Sequence, residues 1–457
     1  MKKDEKVDTI VVGVDIGSTK VAVVAVGLTD RSNPSAIEVI GFSEATLPSG
    51  AVVNGSVENV KQVSEAISKA LAAVDKMGDI EIRVVNMSFG GMHVKFGTQV
   101  NKVIRHTSST GEIVSQRDVD HLVANMFRAK SDINSEVMHV LPLEFIVDKA
   151  VGVKEPVGRS GINLGGEFII VSADKQSIER SKQSLKMANE ELSHDMMLLS
   201  PIASGLAVLD DAETNAGIAL VDIGSHTTDL IIYYEGIIRH MATFPIGGKH
   251  ITADLKVGCS IQMDNAENLK KQFGIALSEK VSPNVEILVN YLAGRPPKHV
   301  LQKNMAVIIE ERLKEIAAMV YAEICSSGQI DNMIGGLVIT GGTANIPEIE
   351  SIFSRITRGM QVRIGRPIKL KSSEMAEKVC NPSYSSAVGL AWAGIKAVDP
   401  RISSICPSET IAPAPQFTKK ESKISGERET SPKNFFTEYI NPFLRRGKVD
   451  DLGEYGD

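Results

Sequence analysis

Two short polar turns, far apart in the chain, carry residue types that can hold a phosphate group. Residues 11–24 read VVGVDIGSTKVAVV and residues 219–232 read ALVDIGSHTTDLII. In both, Asp-Ile-Gly-Ser and a Thr-bearing turn stand between two apolar, β-branched runs, a pattern that predicts a β-hairpin. Glycine lets the main chain come close to a phosphate, and successive N–H groups of such a turn can point toward it.

Together the two turns predict a site for a nucleoside triphosphate and its metal ion. Mg²⁺ keeps several of its waters, so the carboxylates at the strand ends, Asp15 and Asp222, are expected to hold it through water. Lys20, at the end of the first turn, adds positive charge for the β- and γ-phosphates. The predicted phosphate contacts are Gly17, Ser18, Thr19 and Lys20 in the first turn and Gly224, Ser225, His226 and Thr227 in the second.

Other interpretations of these turns are weaker. One such turn alone would be an ordinary hairpin turn, because Asp and Gly are common there. Two near-copies with Asp in the same place favour phosphate binding. A Walker P-loop needs GxxxxGK[ST], and the spacing of Gly13 and Gly17 is too short for it. No GxGxxG follows a strand, so a dinucleotide-binding fold has no support.

The elements that must position the turns alternate between strands and helices, which is typical of an α/β protein. The predicted elements before the second turn are helices at 57–74, 115–129 and 175–188 and strands at 82–87 and 168–172. Residues 88–165 are polar, glycine-spaced and strand-rich, which indicates an inserted subdomain. Residues 250–329 are predicted to be mostly helical. An apolar strand at 336–340 ends in Thr-Gly-Gly-Thr, and a helix follows that ends near Ile356.

Composition narrows the class of protein. The chain of 457 residues has 50 Lys and Arg, 56 Asp and Glu and a net charge of −6, which disfavours a general nucleic-acid binder. Its 4 cysteines lack metal-ligand spacing, as expected in a reducing cytoplasm. No apolar run is long enough to span a bilayer.

Prolines and polar residues accumulate over 399–432, which predicts a disordered linker.

A short aromatic segment, KNFFTEYINPFLRRGK at 433–448, follows this linker. Its apolar residues recur as one helical stripe and basic residues lie near its end, the composition of a helix on an anionic membrane surface. The predicted membrane contacts are Phe435, Phe436, Tyr439, Ile440, Phe443, Leu444, Arg445 and Arg446. The alternative is a stripe that docks on the protein itself or on a partner. Pro442 would kink or end such a helix.

The motifs resemble those of the superfamily of actin, DnaK-type chaperones and sugar kinases. Asp15–Lys20 is similar to its first phosphate motif, Asp222–Asp229 to its second and Thr340–Ala344 to its adenosine motif. Within this superfamily, residues 47–60 and 361–367 resemble the FtsA family of bacterial division proteins. The resemblance implies an α/β, actin-like (ribonuclease H-like, duplicated) fold of two lobes with an inserted 1C subdomain.

The same resemblance implies a division of the chain into subdomains. We expect subdomain 1A at 1–87, 166–203 and 376–398, the 1C insert at 88–165, subdomain 2A at 204–245 and 331–375, subdomain 2B at 246–330, the linker at 399–432 and the membrane-targeting helix at 433–448.

Further site residues follow from the family motifs. The adenosine of ATP, bound with Mg²⁺, is expected to meet Glu267, Lys270, Gly341, Gly342 and Thr343. The acidic C-terminal peptide of the tubulin-like protein FtsZ is expected to meet Arg295, Lys298, Asn304 and Arg312, although a solvated helix face would explain each of these side chains equally well. Ser200 stands where many family members have Glu, so hydrolysis of ATP is expected to be slow at most.

The implied function is that of a peripheral protein at the cytoplasmic face of the inner membrane, at the division site. It would polymerise, tether FtsZ filaments to the membrane and recruit later division proteins, without binding nucleic acid. One alternative is a sugar kinase of the same superfamily, which would need a catalytic carboxylate beside the γ-phosphate. Another is a type IV pilus adaptor of the PilM sort, which usually lacks the linker and the aromatic helix.

Overall fold

The first repeated turn joins two neighbouring strands of a five-stranded sheet. The computed structural model describes residues 9–28, 37–104, 113–128, 133–290, 294–368 and 370–396. The first elements are β1 (Thr9–Ile16), β2 (Lys20–Leu28), β3 (Ile37–Thr46), β4 (Val52–Val53), β5 (Ser56–Val57), α1 (Val60–Gly78) and β6 (Val84–Phe89). The helix predicted at 57–74 begins at Val60, because the Asn59 side chain caps it by accepting a hydrogen bond from the Gln62 N–H at 3.1 Å.

A separate antiparallel sheet with one helix interrupts the first lobe. Its elements are β7 (Val94–Ile104), α2 (Gln116–Phe127), β8 (Ser135–Val147), β9 (Ala150–Val153) and β10 (Asn163–Asp174), and its strands lie in the order β7-β10-β8-β9. α2 covers one face of this sheet, so Leu122 and Phe168 are buried in a core that the insert forms by itself. β10 runs past residue 165, the expected end of the insert, and includes the strand predicted at 168–172.

The chain then returns to the first sheet through α3 (Lys175–Ala188), β11 (Ser193–Leu199) and α4 (Ser200–Val208). α3 has the predicted bounds, because the carboxylate of Asp174 accepts a hydrogen bond from the Ser177 N–H at 2.9 Å and so caps the helix. The completed sheet has the order β11-β6-β1-β2-β3. Its strands β1, β2 and β3 form an antiparallel meander, whereas β1, β6 and β11 are parallel.

The second lobe repeats this sheet. Its elements are α5 (Asp211–Ala216), β12 (Ile218–Ile223), β13 (Thr228–Tyr234), β14 (Ile237–Phe244), α6 (Gly248–Gly258), α7 (Met263–Phe273), β15 (Glu286–Val289), β16 (Lys298–Leu301), α8 (Gln302–Ser326), β17 (Leu337–Thr340), α9 (Ile349–Ile356) and β18 (Val362–Ile364). The strand order is β14-β13-β12-β17-β18, again a meander of three strands joined to parallel neighbours. This duplication confirms the predicted fold class. The two-stranded sheet of β15 and β16 is an addition to the mostly helical region that the sequence predicted.

The helix α4 and a second helix, α11 (Ser385–Lys396), connect the lobes behind the repeated turns. α10 (Glu374–Val379) precedes α11, and α11 crosses α4 so closely that a Cβ atom on Gly389 would collide with the main chain of Ala203. The hydrophobic core of the first lobe continues past these helices to Leu220 and Val338 of the second sheet. Across the described ranges, no helix is both long and apolar enough to span a membrane.

Candidate functional site

The first turn is held by hydrogen bonds at the end of β1. Its Gly17 N–H donates to the carbonyl of Lys20 at 3.0 Å, which closes the hairpin. The Ile16 N–H donates to the Ser88 hydroxyl at 2.9 Å, so the parallel neighbour β6 supports the turn from the side. The Thr19 carbonyl accepts from the Leu47 N–H at 2.8 Å.

The second turn has the same closure and a different support. The Gly224 N–H donates to the carbonyl of Thr227 at 2.9 Å, as in the first turn. The Gly224 carbonyl accepts two hydrogen bonds, from the Gly248 N–H at 2.9 Å and from the Thr343 hydroxyl at 3.0 Å. The start of α6 and the Thr-Gly-Gly-Thr motif are therefore both fastened to this turn.

Both turns keep main-chain donors available. The N–H groups of Ser18, Thr19, Ser225 and His226 have no hydrogen-bond partner among the residues that the structure describes. Their positions match in the two copies of the motif. Unpaired N–H groups that follow one another in a turn form a binding site for an anion such as a phosphate.

Asp15 and Asp222 lie close enough for their charges to interact. Burial raises the pKa of Asp222 to about 7, and the negative charges of Asp229 and Asp15 add to this rise. Burial also raises the pKa of Asp15, although the Ser88 hydroxyl and the Lys20 charge oppose it. The two turns therefore face one cleft, with a carboxylate from each lobe. Partly buried carboxylates that repel one another are stabilised by a cation between them.

Lys20, a predicted phosphate contact, is engaged elsewhere in this structure. Its ammonium lies 2.6 Å from the carboxylate of Glu44 and 3.9 Å from the centre of the Tyr384 ring. The Tyr384 hydroxyl donates to the same carboxylate at 3.0 Å. Burial opposes ionisation of Glu44, but the hydrogen bond and charge of Lys20 keep its pKa below the ordinary value, and Lys271 of α7 contributes from the second lobe.

The predicted adenosine residues gather beside the second turn. The Lys270 ammonium donates to Glu267 at 2.7 Å and to the Gly248 carbonyl at 2.9 Å. Gly341 has a left-handed backbone with φ of 87°, and a Cβ atom there would collide with the Asp222 carboxylate. Gly342 is exposed, and among the described residues other than its chain neighbours only Ser383 Oγ, at 3.8 Å, lies within 4 Å of the position that its Cβ would take.

Two serines that the sequence did not single out complete the site. The Ser204 hydroxyl of α4 donates to the Asp222 carboxylate at 2.5 Å and lies 2.9 Å from the Ser386 hydroxyl of α11. α4 therefore reaches the carboxylate of the second turn directly, and α11 reaches it through Ser204. The sequence does contain one signal for this contact. Small residues are frequent in the segments 199–209 and 383–391, and small residues allow two helices to cross closely.

The predicted peptide-binding residues lie together in part. Arg295 and Asn304 are exposed near the β15–β16 pair and the start of α8, and Lys298 begins β16. Arg312 differs from them, because its guanidinium binds Asp254 at 2.6 and 2.9 Å and Glu315 at 2.6 Å. The predicted linker at 399–432 and the membrane contacts from Phe435 to Arg446 lie outside the described residues.

The residues present fit a nucleotide and its metal ion. Unpaired N–H donors in both turns suit phosphate oxygens, and the buried Nδ1 atom of His226 in the second turn has no partner among the described residues. Asp15 and Asp222 would hold Mg²⁺ through its waters, and the metal would neutralise phosphate charge. No three His, Cys, Asp or Glu side chains of the described ranges converge on a metal position of their own.

The duplicated sheets, the facing turns and the inserted subdomain define an α/β protein of the actin-like class. Family models match the chain at two places: "Cell division protein FtsA" at 219–389 and "SHS2 domain inserted in FTSA" at 91–172. Cell division protein FtsA of Borreliella burgdorferi is 31% identical over 382 residues, which cover 83% of this chain and 90% of that protein. The chain belongs to the FtsA family, as the resemblance of its motifs predicted.

A further relative agrees with this assignment, and a solved structure shares the fold. Cell division protein FtsA of Pseudomonas aeruginosa is 29% identical over 393 residues, which cover 85% of this chain and 89% of that protein. Among solved structures, the PilM-PilN type IV pilus biogenesis complex is similar with a TM-score of 0.60 and 15% identity, covering 85% of this chain and 99% of that one. At this identity the likeness to PilM shows a shared fold alone.

Proposed function

We propose that this division protein binds ATP with Mg²⁺ between its lobes and tethers FtsZ filaments to the cytoplasmic face of the inner membrane. The observation that carries the proposal is the pair of matching turns, which bring open N–H donors and one carboxylate each to the same cleft. A ligand that contacts both turns fixes the angle between the lobes. That angle would favour or disfavour the contacts of a filament of this protein.

The helices that connect the lobes supply the coupling. The Ser204 hydroxyl of α4 donates to the Asp222 carboxylate and lies against the Ser386 hydroxyl of α11, so a metal ion that draws this carboxylate toward the phosphates would act on α4 directly and on α11 through Ser204. Because α4 and α11 cross at Gly389 without room for a side chain, a shift of one helix is passed to the other.

Hydrolysis is expected to be slow. Ser200, at the start of α4, donates its hydroxyl to the carbonyl of Phe89 at 3.2 Å. A hydroxyl that is held in this way is a poor base for an attacking water, because a neutral alcohol does not accept a proton readily. ATP would therefore act as a conformational ligand, and a sugar-kinase activity has no support from this position.

The partner surface for the acidic FtsZ peptide would lie at the β15–β16 pair and the start of α8. Arg295 and Lys298 offer positive charge there, and the exposed Asn304 offers an amide. Complementary charge would guide the peptide to this surface and set its orientation. Arg312 would have to leave Asp254 in order to take part.

Membrane attachment would come from the segment 433–448. Its aromatic stripe and basic end suit anionic lipid, and each basic residue near such a surface contributes about 1 kcal/mol. One such helix binds reversibly, so several copies in a filament would be needed for stable attachment. A pilus adaptor of the PilM sort would not need this segment.

Deleting Phe435–Arg446 is expected to abolish cosedimentation with vesicles that contain anionic lipid, because the deletion removes both the apolar stripe and its adjacent arginines. FtsZ filaments should then remain in the supernatant of a vesicle sedimentation assay, although they should still bind the shortened chain in solution. ATP affinity, measured on the same preparation, should not change. Unchanged sedimentation of the shortened chain with vesicles would contradict the membrane-tether proposal.

A further inference from the structure

A lysine of α6 contacts the second turn, and the sequence patterns did not mark it. Lys249, near the start of α6, places its ammonium nitrogen 2.9 Å from Nε2 of His226. Its main-chain N–H also donates to the Ser225 carbonyl, at 2.8 Å. Lys249 is therefore fastened to the turn through both its main chain and its side chain.

The contact defines where the His226 ring carries its proton. A lysine ammonium has only donors, so Nε2 must accept and the hydrogen of the neutral ring is on Nδ1. Burial and the nearby charges of Lys249 and His250 lower the pKa of His226 to about 4, which agrees with a neutral ring. The His226 side chain is buried, with the residue only 8% exposed, and its Nδ1 atom has no partner among the described residues.

The charge of Lys249 is not compensated, unlike that of the other lysines in the cleft. Lys20 is paired with Glu44 and Lys270 with Glu267. For Lys249, no carboxylate of the described residues lies within ion-pair distance, and its only side-chain hydrogen bond there is with His226. A partly buried ammonium without a counter-ion, next to unpaired N–H groups, forms a site for an anion.

We infer that Lys249 is the cation that contacts the terminal phosphate of a bound nucleoside triphosphate, and that His226 positions its ammonium. The inference rests on the proposed nucleotide site and assigns it a selectivity for triphosphate over diphosphate. Lys249 supplies a charge-assisted hydrogen bond from the second lobe, which a diphosphate, shorter by one phosphate, does not reach. Lys20 stays with Glu44 on the first lobe.

The test compares the affinities of ATP and ADP, each with Mg²⁺, for the full chain and its Lys249→Met variant by calorimetry. The variant should bind ATP roughly tenfold more weakly and ADP less than about threefold more weakly, because only the terminal phosphate loses its partner. Lys256→Met is the matched control, since Lys256 is exposed on the same helix. It should leave both affinities unchanged. Lys249→Gln gives the same comparison if the methionine variant does not fold.

The outcomes separate this inference from the nucleotide proposal. If the unchanged chain binds neither nucleotide, both are wrong. If it binds them and the Lys249 variants keep the same ratio of affinities, only the role of Lys249 is wrong. The His226→Leu variant should likewise lower the preference for ATP over ADP. The variant that carries both substitutions should lower this preference no further than the Lys249 variant alone, because the histidine acts through the lysine. Additive losses would contradict a positioning role for His226.

Discussion

Replacing Gly342 with Phe is expected to remove nucleotide binding while the protein stays folded. Among the described residues other than its chain neighbours, only Ser383 Oγ, at 3.8 Å, lies near the Gly342 Cβ position, so a side chain can be added without a clash with them. That side chain would fill the space proposed for the adenosine. We expect the affinity for ATP to fall roughly a hundredfold or more, since a ligand pocket that is filled by the protein cannot bury its ligand.

The measurement is ATP affinity together with the melting temperature of the ligand-free chain. Gly97→Phe is a matched control, because Gly97 in β7 is also exposed and no atom of the described residues beyond its chain neighbours lies within 4 Å of its Cβ position. This control should bind ATP normally. ATP binding by the Gly342 variant that equals that of the control would mean that the adenosine assignment is wrong.

Replacing Asp222 with Asn is expected to stabilise the ligand-free chain and to weaken binding of ATP with Mg²⁺. The amide keeps an oxygen to accept the Ser204 hydrogen bond, but it removes a charge that Asp15 and Asp229 repel. The metal ion loses one of its two carboxylates, so we expect the affinity to fall roughly 30-fold or more.

The gain in stability should depend on pH in a defined direction. The folded-state pKa of Asp222, about 7, lies above its unfolded value of about 4, so the folded chain binds more protons between these pH values. The free energy of unfolding of the unchanged chain should therefore fall relative to the variant as pH rises from about 4 to about 7, by about 2–4 kcal/mol. The difference should be small below pH 4.

Denaturant unfolding of both chains across this pH range measures the effect. Asp229→Asn is a useful comparison, because the Thr243 hydroxyl donates to Asp229 at 2.6 Å and Thr227 Oγ1 lies 3.4 Å from its carboxylate. This variant should gain stability in the same direction and keep most of its affinity for ATP with Mg²⁺. An Asp222 variant that is less stable than the unchanged chain at every pH would contradict the charge argument.

The duplicated fold could be predicted from the sequence because its main signals are local. Two β-branched runs around a polar turn predict each hairpin, and the Asp174 cap defines where α3 begins. The predicted helix start at residue 57 was three residues early, because Asn59 rather than the apolar pattern decides where α1 begins. The short strands β15 and β16 lack enough alternating residues to be seen in the sequence.

The candidate site could be predicted only in part, because its side-chain partners are distant in the chain. Nothing near Lys20 in the sequence indicates that Glu44 and Tyr384 hold its ammonium. Likewise, Ser204 and Lys249 reach the second turn only after α4 and α6 have packed against it. Motif spacing places the main-chain donors, whereas the partners of charged side chains depend on the packing of whole elements.

Amide hydrogen exchange of the two turns, with and without ATP and Mg²⁺, tests the central claim most directly. The N–H groups of Ser18, Thr19, Ser225 and His226 have no partner among the described residues, so they should exchange quickly in the ligand-free chain. Saturating ATP with Mg²⁺ should slow exchange in both turns together, because one nucleotide occupies both. Protection of one turn alone, or of neither, at saturating ATP would contradict a nucleotide held between the lobes.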